Sequence, residues 1–356
     1  MGSHRNNNLG SLRLVGAMAV LLGHSFVLTL GLDNHDPISA VTREVAGYRL
    51  GLPGLGVAMF FAISGYLVTQ SFIRRRGVVA YAEARLLRIY PALILAVALT
   101  LLWGLFISSY GLDYATSKQT LAYGFYGASL IDVRYALPGV FESNPLPAVN
   151  GSLWTLPVEL RMYAFVGLAG VLGVLGRRAL FNLSALALIA VGTLWPESPL
   201  LADPVHIRAA VFFLVGAALY VNRDWIPLRA GGVVVVVVAA FVASLTPAYP
   251  LVFAIAFSYT ILWLGLRPRG RLPDLAAHGD LSYGTYLYAF PATQFWVYAL
   301  SPSSPWLVAL LTLVTVLPLA WLSWRLVERP ALARKGTVLR SLSSSGRWTN
   351  VLSRKS

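Results

Sequence analysis

The fold is decided first by residues 14–32, which read LVGAMAVLLGHSFVLTLGL. This run holds no Asp, Glu, Lys or Arg, and as one helix it is long enough to cross the roughly 30 Å apolar core of a bilayer. Similar apolar runs recur at about 52–73, 91–110, 151–173, 179–195, 206–222, 230–246, 248–266, 283–300 and 305–325. The sequence therefore predicts an all-α membrane protein, a bundle of about ten transmembrane helices.

The composition of the whole chain agrees with this prediction. Of its 356 residues, 57% are hydrophobic and only 12% are charged, whereas soluble domains carry about 25% charged residues. A soluble globular enzyme, a disordered protein and a coiled coil are excluded on this ground. The chain has no cysteine, which excludes disulfides and thiolate catalysis. Its five scattered histidines form no His-x-x-x-His pair, so no metal site is predicted.

The distribution of charge predicts the orientation in the membrane. Ten spans put both termini on one side, and with both termini cytoplasmic the inner face carries 22 basic and 5 acidic residues. The outer face then carries 5 basic and 8 acidic residues. An excess of Lys and Arg on the cytoplasmic side is the ordinary pattern of membrane proteins. The net charge of +14 is thus explained by topology, and nucleic acid is not a predicted partner.

Two regions outside the spans stand out. Residues 1–335 are predicted to form one multi-span membrane domain, followed by a basic, Ser-rich cytoplasmic tail over 336–356, which is predicted to be disordered. The longest outer loop, about 111–150, contains five tyrosines among Gly and Pro. It either covers a site or dips back into the bilayer, and the sequence leaves both open.

His24 lies within the first predicted span and is the leading candidate for catalysis. An ionisable side chain inside a membrane helix is costly and by default marks a functional site. Arg13 precedes His24 by eleven residues, which returns to nearly the same helix face about 16 Å further along the axis. The alternative is a histidine that hydrogen-bonds a neighbouring helix. The spacing favours a cation at the inner surface below an acid/base group near the middle of the membrane.

Glu159 and Arg161 are the other charged residues inside a predicted span. Helical rise puts Glu159 roughly 12 Å below the outer surface, close to the depth of His24. A carboxylate beside an imidazole orients its tautomer and raises its basicity, as a general base requires. We therefore predict that Glu159 pairs with His24. The alternative is a structural pair of Glu159 with Arg161 or with a tyrosine.

Five arginines lie close together between the second and third spans. Arg85 and Arg88 are three residues apart, so they share a helix face. Arginine has the forked geometry that suits phosphates, which favours phosphate binding by this pair. The triplet Arg74, Arg75 and Arg76 is a weaker candidate for the same role. The alternative is a cluster that only fixes the orientation of the chain.

Four further polar or aromatic residues are candidates for binding substrate: Ser64, Trp154, Tyr288 and Gln294. Each also has a structural explanation. Ser64 precedes Gly65, and small residues let membrane helices approach closely. Tyrosines commonly anchor helices at the membrane interface. Arginines at the inner mouth with a histidine deeper in the membrane would suit a donor with a phosphorylated head and a long thin arm, the shape of a coenzyme A thioester.

The chain resembles the acyltransferase-3 family of membrane O-acyltransferases, which modify bacterial surface polysaccharides. The resemblance covers nearly the whole chain, and its segments occur in the family's order: Ser11–Ser25 with Arg13 and His24, Gly56–Leu67, Arg85–Pro91, Asn150–Glu159, Leu281–Tyr288 and Val327–Pro330. The chain departs from the family in two places. Gly10-Ser11 stands where many members have Asp-Gly, and Tyr288-Ala289-Phe290-Pro291 stands where many have a histidine.

The resemblance implies an activity and roles for these residues. The donor would be acetyl-coenzyme A on the cytoplasmic side, handled by Arg13, Arg85 and Arg88, with His24 as the catalytic residue. The acceptor would be a hydroxyl of a glycan or glycolipid at the outer face of the bacterial cytoplasmic (inner) membrane. His24, oriented by Glu159, would deprotonate that hydroxyl directly or assist an acyl relay. The departure at Tyr288 argues against a second catalytic histidine.

Two other functions stay open from the sequence alone. A proton-coupled transporter or flippase would use His24 and Glu159 as a proton relay, but the chain lacks the clear internal repeat typical of such proteins. An acyltransferase of the same fold could act on a lipid, a lipochito-oligosaccharide or a small metabolite, or transfer another acyl group such as succinyl, because fold does not fix substrate.

Overall fold

The structure is a computed structural model, and it describes residues 7–32, 36–46, 50–74, 77–194, 203–268, 274–275 and 279–336. Within these ranges the chain is helical and contains no strand. The predicted tail beyond Gly336 lies outside the described residues, as do Arg75 and Arg76 of the arginine triplet.

Fourteen α-helices form the described part of the chain. In order they are α1 (Leu9–Leu30), α2 (Pro37–Ala46), α3 (Leu52–Arg74), α4 (Val78–Ile107), α5 (Asp113–Thr116), α6 (Lys118–Ser129), α7 (Thr155–Val171), α8 (Arg178–Leu194), α9 (Pro204–Val221), α10 (Ala230–Ala243), α11 (Tyr249–Leu266), α12 (Ser282–Leu300), α13 (Pro305–Ser323) and α14 (Arg329–Ala333). A 3₁₀ turn at Gly151–Trp154 leads into α7, and a π-helical turn at Trp324–Glu328 joins α13 to α14.

Every apolar run identified in the sequence coincides with one of these helices. Six helices of the described chain are long and apolar enough to cross a membrane: α1, α3, α4, α9, α11 and the continuous run Pro305–Ala333. The helices at the other four predicted spans are shorter, as with the 14-residue α10, or more polar, as with α12. The protein is therefore an all-helical, multi-pass membrane protein. Ten spans and cytoplasmic termini remain predictions.

Helix α1 packs against α3 through small residues. A β-carbon on Gly56 would clash with the carbonyl oxygen of Gly16, and one on Gly65 would clash with that of Phe213 in α9. Small residues at these positions let the backbones of α1, α3 and α9 approach closely. This close packing fixes which faces of α1 and α3 remain for the site.

Pro291 lies inside α12 and leaves a carbonyl of this helix free to bond the segment before α7. Proline has no N–H for the carbonyl of Leu287, four residues earlier. Asn150 donates to this carbonyl instead, at 3.1 Å, and its own Oδ1 accepts from the backbone of Ser152 at 3.2 Å. The start of α7, which carries Glu159, is thereby held against α12.

The loop over 111–150 is organised rather than extended. It contains α5 and α6, and Tyr114 and Tyr123 are fully buried in the bundle core. Its last part is held by Gln294 of α12, whose carbonyl and side-chain oxygens accept from Asn144 at 3.0 and 2.8 Å. The loop therefore packs onto the helices through specific hydrogen bonds.

Candidate active site

One carboxylate joins α1 and α4, the helices that carry Arg13 and Arg88. Asp280 lies just before α12, and its Oδ2 accepts from Arg13 Nη1 at 2.9 Å and from Arg88 Nη2 at 2.8 Å. Its Oδ1 accepts from the hydroxyl of Ser282. The structure thus brings Arg13 and Arg88 together around a carboxylate that the sequence had shown only as part of the inner-surface charge.

A second carboxylate approaches Arg88 from the π-helical turn. Glu328 Oε2 lies 3.7 Å from Arg88 Nη1, and Glu328 Oε1 accepts from Ser323 at 3.2 Å. Ser323 in turn accepts from the hydroxyl of Tyr288 at 3.0 Å. Turns of π-helix inside α-helices are rare and often occur at functional sites. Here the turn directs a buried acid at a site arginine.

Burial alone would raise the pKa of the Asp280 carboxyl, but the guanidinium groups of Arg13 and Arg88 outweigh it and hold this pKa below its ordinary value. Asp280 is therefore charged at neutral pH. Its contribution to stability is present above the pKa of the unfolded state, about 3.9, and is lost as the pH falls through the lower folded-state pKa.

We expect Asp280→Asn to lower the free energy of unfolding by about 3 kcal/mol, because the change leaves two partly buried arginines without their shared counter-ion. Thermal or denaturant unfolding of the detergent-purified protein at pH 7 measures this loss. The difference from wild type should begin to shrink below about pH 4, where the carboxyl group of the unfolded wild-type chain takes up a proton, and should vanish only below the lower pKa of the folded state. Asp132→Asn is the control, because its half-exposed pair with Arg134 should contribute about 1 kcal/mol or less. Equal losses in the two variants would contradict this interpretation.

A cavity of about 350 Å³ opens beside this ion-pair cluster. Its basic lining residues are Arg13, Arg74, Arg85, Arg88 and Lys335. We call it the arginine cavity. Arg85 differs from Arg88 because none of the residues described in the structure forms an ion pair with it. Its guanidinium lies 5.6 Å from the ring centre of Tyr163, and its buried Nε has no hydrogen-bond partner.

A smaller cavity of about 40 Å³ lies next to the arginine cavity and shares Arg13, Ser64 and Arg88 with it. We call it the central cavity. Glu159 lines it and accepts hydrogen bonds from Ser64, at 3.3 Å, and from the hydroxyl of Tyr163. The carboxylate of Glu159 and the hydroxyl groups of Ser64 and Tyr163 therefore lie next to the arginine cluster.

His24 lines a third cavity, of about 290 Å³, together with Trp154, Arg208 and the buried Asp36. We call it the histidine cavity. It shares Val57 and Tyr286 with the central cavity. The His24 ring meets the Phe290 ring edge-on at 5.0 Å, and its buried Nδ1 has no hydrogen-bond partner. Three neighbouring cavities thus lead from the arginines to the histidine.

The predicted pair of His24 and Glu159 does not form. The carboxylate of Glu159 is bonded to Ser64 and Tyr163 in the central cavity, while His24 faces the next cavity. Equal depth in the membrane did not bring the two side chains together, because the packing of α7 against α3 turns Glu159 towards Ser64. Of the alternatives considered, the pair with a tyrosine is the one observed.

Two predicted substrate-binding residues lie away from the three cavities. Gln294 is completely buried and bonds the backbone of the loop before α7. Tyr288 donates to Ser323 and faces a separate small cavity beside Leu319. Both side chains form hydrogen bonds to neighbouring segments, and their part in binding substrate stays a prediction. Ser64 and Trp154 do line cavities on the path, the first the arginine and central cavities and the second the histidine cavity.

The residues that the sequence analysis missed are Asp280, Tyr163 and Arg208. Asp280 directly precedes the segment Leu281–Tyr288 that carries the family resemblance, and this adjacency was a usable signal. Tyr163 lies four residues after Glu159, on the same helix face. For Arg208, the sequence showed only a charged residue near the start of the apolar run 206–222. Among the described residues, no group of three or more His, Cys, Asp or Glu side chains could hold a metal ion.

The fold and the site define a class of protein: a multi-pass membrane enzyme with a basic cavity at one end of α1 and a histidine cavity at the other. The sequence profile of the acyltransferase domain matches residues 6–325, which is nearly the whole chain. The chain belongs to the acyltransferase-3 family, and it is an acyltransferase.

Two curated relatives match over almost their full lengths. An O-acetyl transferase of Shigella phage Sf6 is 29% identical over 357 residues, covering 94% of this chain and 99% of the relative. Nodulation protein 10 of Rhizobium leguminosarum bv. viciae is 30% identical over 379 residues, covering 96% of this chain and 97% of the relative. No solved structure matches the chain. These findings make the protein a membrane O-acyltransferase.

Proposed function

We propose that the protein moves an acetyl group from cytoplasmic acetyl-coenzyme A to a hydroxyl of a bacterial cell-surface glycan. One observation carries the proposal: the arginine cavity and the histidine cavity lie at the two ends of a line of three cavities along α1. The arginine end then faces the cytoplasm, with both termini, and the histidine end faces outwards across the bacterial inner membrane.

The donor's phosphates bind in the arginine cavity. Guanidinium groups bind phosphate oxygens with two parallel hydrogen bonds, and Arg85 offers a guanidinium that no described carboxylate engages. Arg13 and Arg88 are held ready by Asp280. The thin arm of the donor passes Ser64 and Glu159 in the central cavity, whose polar groups offer hydrogen bonds to its amides.

The transfer takes place at His24. One imidazole nitrogen accepts the proton of the acceptor hydroxyl while the hydroxyl oxygen bonds to the acetyl carbon. The bond from that carbon to sulfur then breaks, and the departing coenzyme A thiolate takes the proton. Buried polar atoms normally have a hydrogen-bond partner, so the unpartnered Nδ1 of His24 is consistent with a nitrogen kept for a substrate.

The acetyl group and the glycan acceptor are supported by different findings. The name of the Shigella phage relative, an O-acetyl transferase, supports acetyl transfer to oxygen. The histidine cavity, of about 290 Å³ and lined by Trp154 and other apolar side chains, is in size and character a small-molecule site that one sugar unit can enter. Membership of an acyltransferase family favours this function over a transporter.

Mass spectrometry of surface glycans tests the function directly. Cells that express the protein should show glycan species heavier by one acetyl group than cells that lack it, and the extra mass should be removed by mild base, which cleaves O-esters. Glycans of unchanged mass would contradict the proposal. An added succinyl mass would leave the enzyme class standing but change the acyl group.

A further inference from the structure

The wall of the histidine cavity carries a charged side chain that catalysis at His24 does not use. Arg208 lies in the first turns of α9, lines the cavity with His24, and is exposed. It forms no ion pair or hydrogen bond with any residue that the structure describes. Five described arginines, 13, 88, 134, 178 and 223, each pair with a carboxylate, whereas Arg208, like Arg85 in the arginine cavity, does not.

The acid that lines the histidine cavity is already hydrogen-bonded. Asp36 lines the same cavity, but its Oδ2 accepts from the Ser39 hydroxyl at 2.8 Å. Its Oδ1 accepts from the backbone N–H groups of Ile38, Ser39 and Leu52 at 3.1 to 3.2 Å. Asp36 therefore serves to hold the start of α2 against α3, and Arg208 keeps its positive charge for another group.

Trp154 gives the same cavity a flat, fixed surface. Its ring stacks on His206 with the ring centres 5.5 Å apart and the planes 20° from parallel, and it also lines the cavity. Ligand sites typically combine such aromatic walls with a few placed polar groups. The cavity thus has a flat apolar wall, a base and one uncompensated cation.

We propose that the acceptor carries an anionic group, a carboxylate or a phosphate, that Arg208 binds while a neighbouring hydroxyl of the acceptor reaches His24. A guanidinium binds either oxyanion through two parallel hydrogen bonds. The inference rests on the proposed function for the identity of the acceptor as a glycan. The binding of the anion itself is independent of acetyl transfer and can be measured without a donor.

The test measures binding of two matched probes to the full chain in phosphatidylcholine nanodiscs, by calorimetry and without acetyl-coenzyme A. One probe is an oligogalacturonate, and the other is the same oligosaccharide after its carboxyl groups are reduced to alcohols. We expect the anionic probe to bind wild type at least tenfold more tightly, the effect of one charge-assisted hydrogen bond. Arg208→Gln should abolish this preference and Arg208→Lys should restore part of it. Arg134→Gln, which removes a half-exposed cation paired with Asp132, is the control and should retain it.

Three results would overturn the inference: equal affinity of wild type for the two probes, no binding of either probe, or an unchanged preference in Arg208→Gln. Loss of the preference when phosphatidylglycerol is added to the nanodiscs would also overturn it, because the lipid headgroup would then be the natural occupant. His24→Ala should keep the preference. Failure of this test is therefore separate from failure of acetyl transfer, which the glycan masses report.

Discussion

Replacing His24 with alanine is expected to lower acetyl transfer by at least about a thousandfold, the upper part of the range for loss of a general base. The change removes the imidazole that lines the histidine cavity, whose buried Nδ1 has no hydrogen-bond partner among the described residues. No protein hydrogen bond is lost with it, since the ring is held by an edge contact with Phe290. The protein should therefore still fold and reach the membrane.

The measurement is acetylation of glycans in cells that contain equal amounts of wild-type and variant protein. His24→Gln is the matched variant, because glutamine keeps a polar side chain of similar size that cannot act as a base. Both variants should be inactive and should bind coenzyme A as wild type does. Transfer within tenfold of wild type in either variant would remove His24 from the chemistry.

The fold was predictable because hydrophobic length is a local property. Each apolar run of the sequence coincides with a helix, and Gly31, near the end of the first run, is the residue that caps α1. Not every predicted span is a strongly apolar helix in the structure. Residues 282–300 form the helix α12, but its Thr side chains, Gln294 and three of its tyrosines face the protein interior, and it is not among the six helices that are long and apolar enough to cross a membrane.

The site was predictable where it depends on one helix. The spacing of Arg13 and His24 holds because α1 is continuous over Leu9–Leu30, so the two residues mark the two ends of the path. The predicted partner of His24 was wrong because helical rise gives the depth of Glu159 but not the direction in which it points. That direction depends on how α7 packs against α3.

The contacts of Asp280 could not be predicted either, because they join residues that lie far apart in the sequence. Its contacts with Arg13 and Arg88 join residues 267 and 192 positions apart, and no spacing rule reaches over such separations. Gln294 and Tyr288 looked like substrate ligands because polar residues in apolar helices often are. In the structure, both side chains form hydrogen bonds to neighbouring segments.

Replacing Arg85 and Arg88 together with glutamine is expected to weaken binding of coenzyme A by about a hundredfold to ten thousandfold. Each guanidinium offers a charge-assisted hydrogen bond to phosphate, and each such bond contributes about 1.5–3 kcal/mol. Isothermal calorimetry with the purified protein in detergent measures the affinity, and the acetyl-coenzyme A concentration needed for half-maximal transfer should rise in parallel. An unchanged dependence on acetyl-coenzyme A would contradict the assignment.

The single variants separate binding from stability, because the two arginines have different surroundings. Arg88 pairs with Asp280 and lies near Glu328, so Arg88→Gln should also lower the unfolding temperature. Arg85 has no carboxylate partner among the described residues, and Arg85→Gln should weaken coenzyme A binding while leaving that temperature nearly unchanged. Arg74→Gln, an exposed arginine on the rim of the same cavity, should have the smallest effect on affinity. Equal effects of all three single variants would mean that the cavity attracts the donor by total charge alone, and the specific roles of Arg85 and Arg88 would then be wrong.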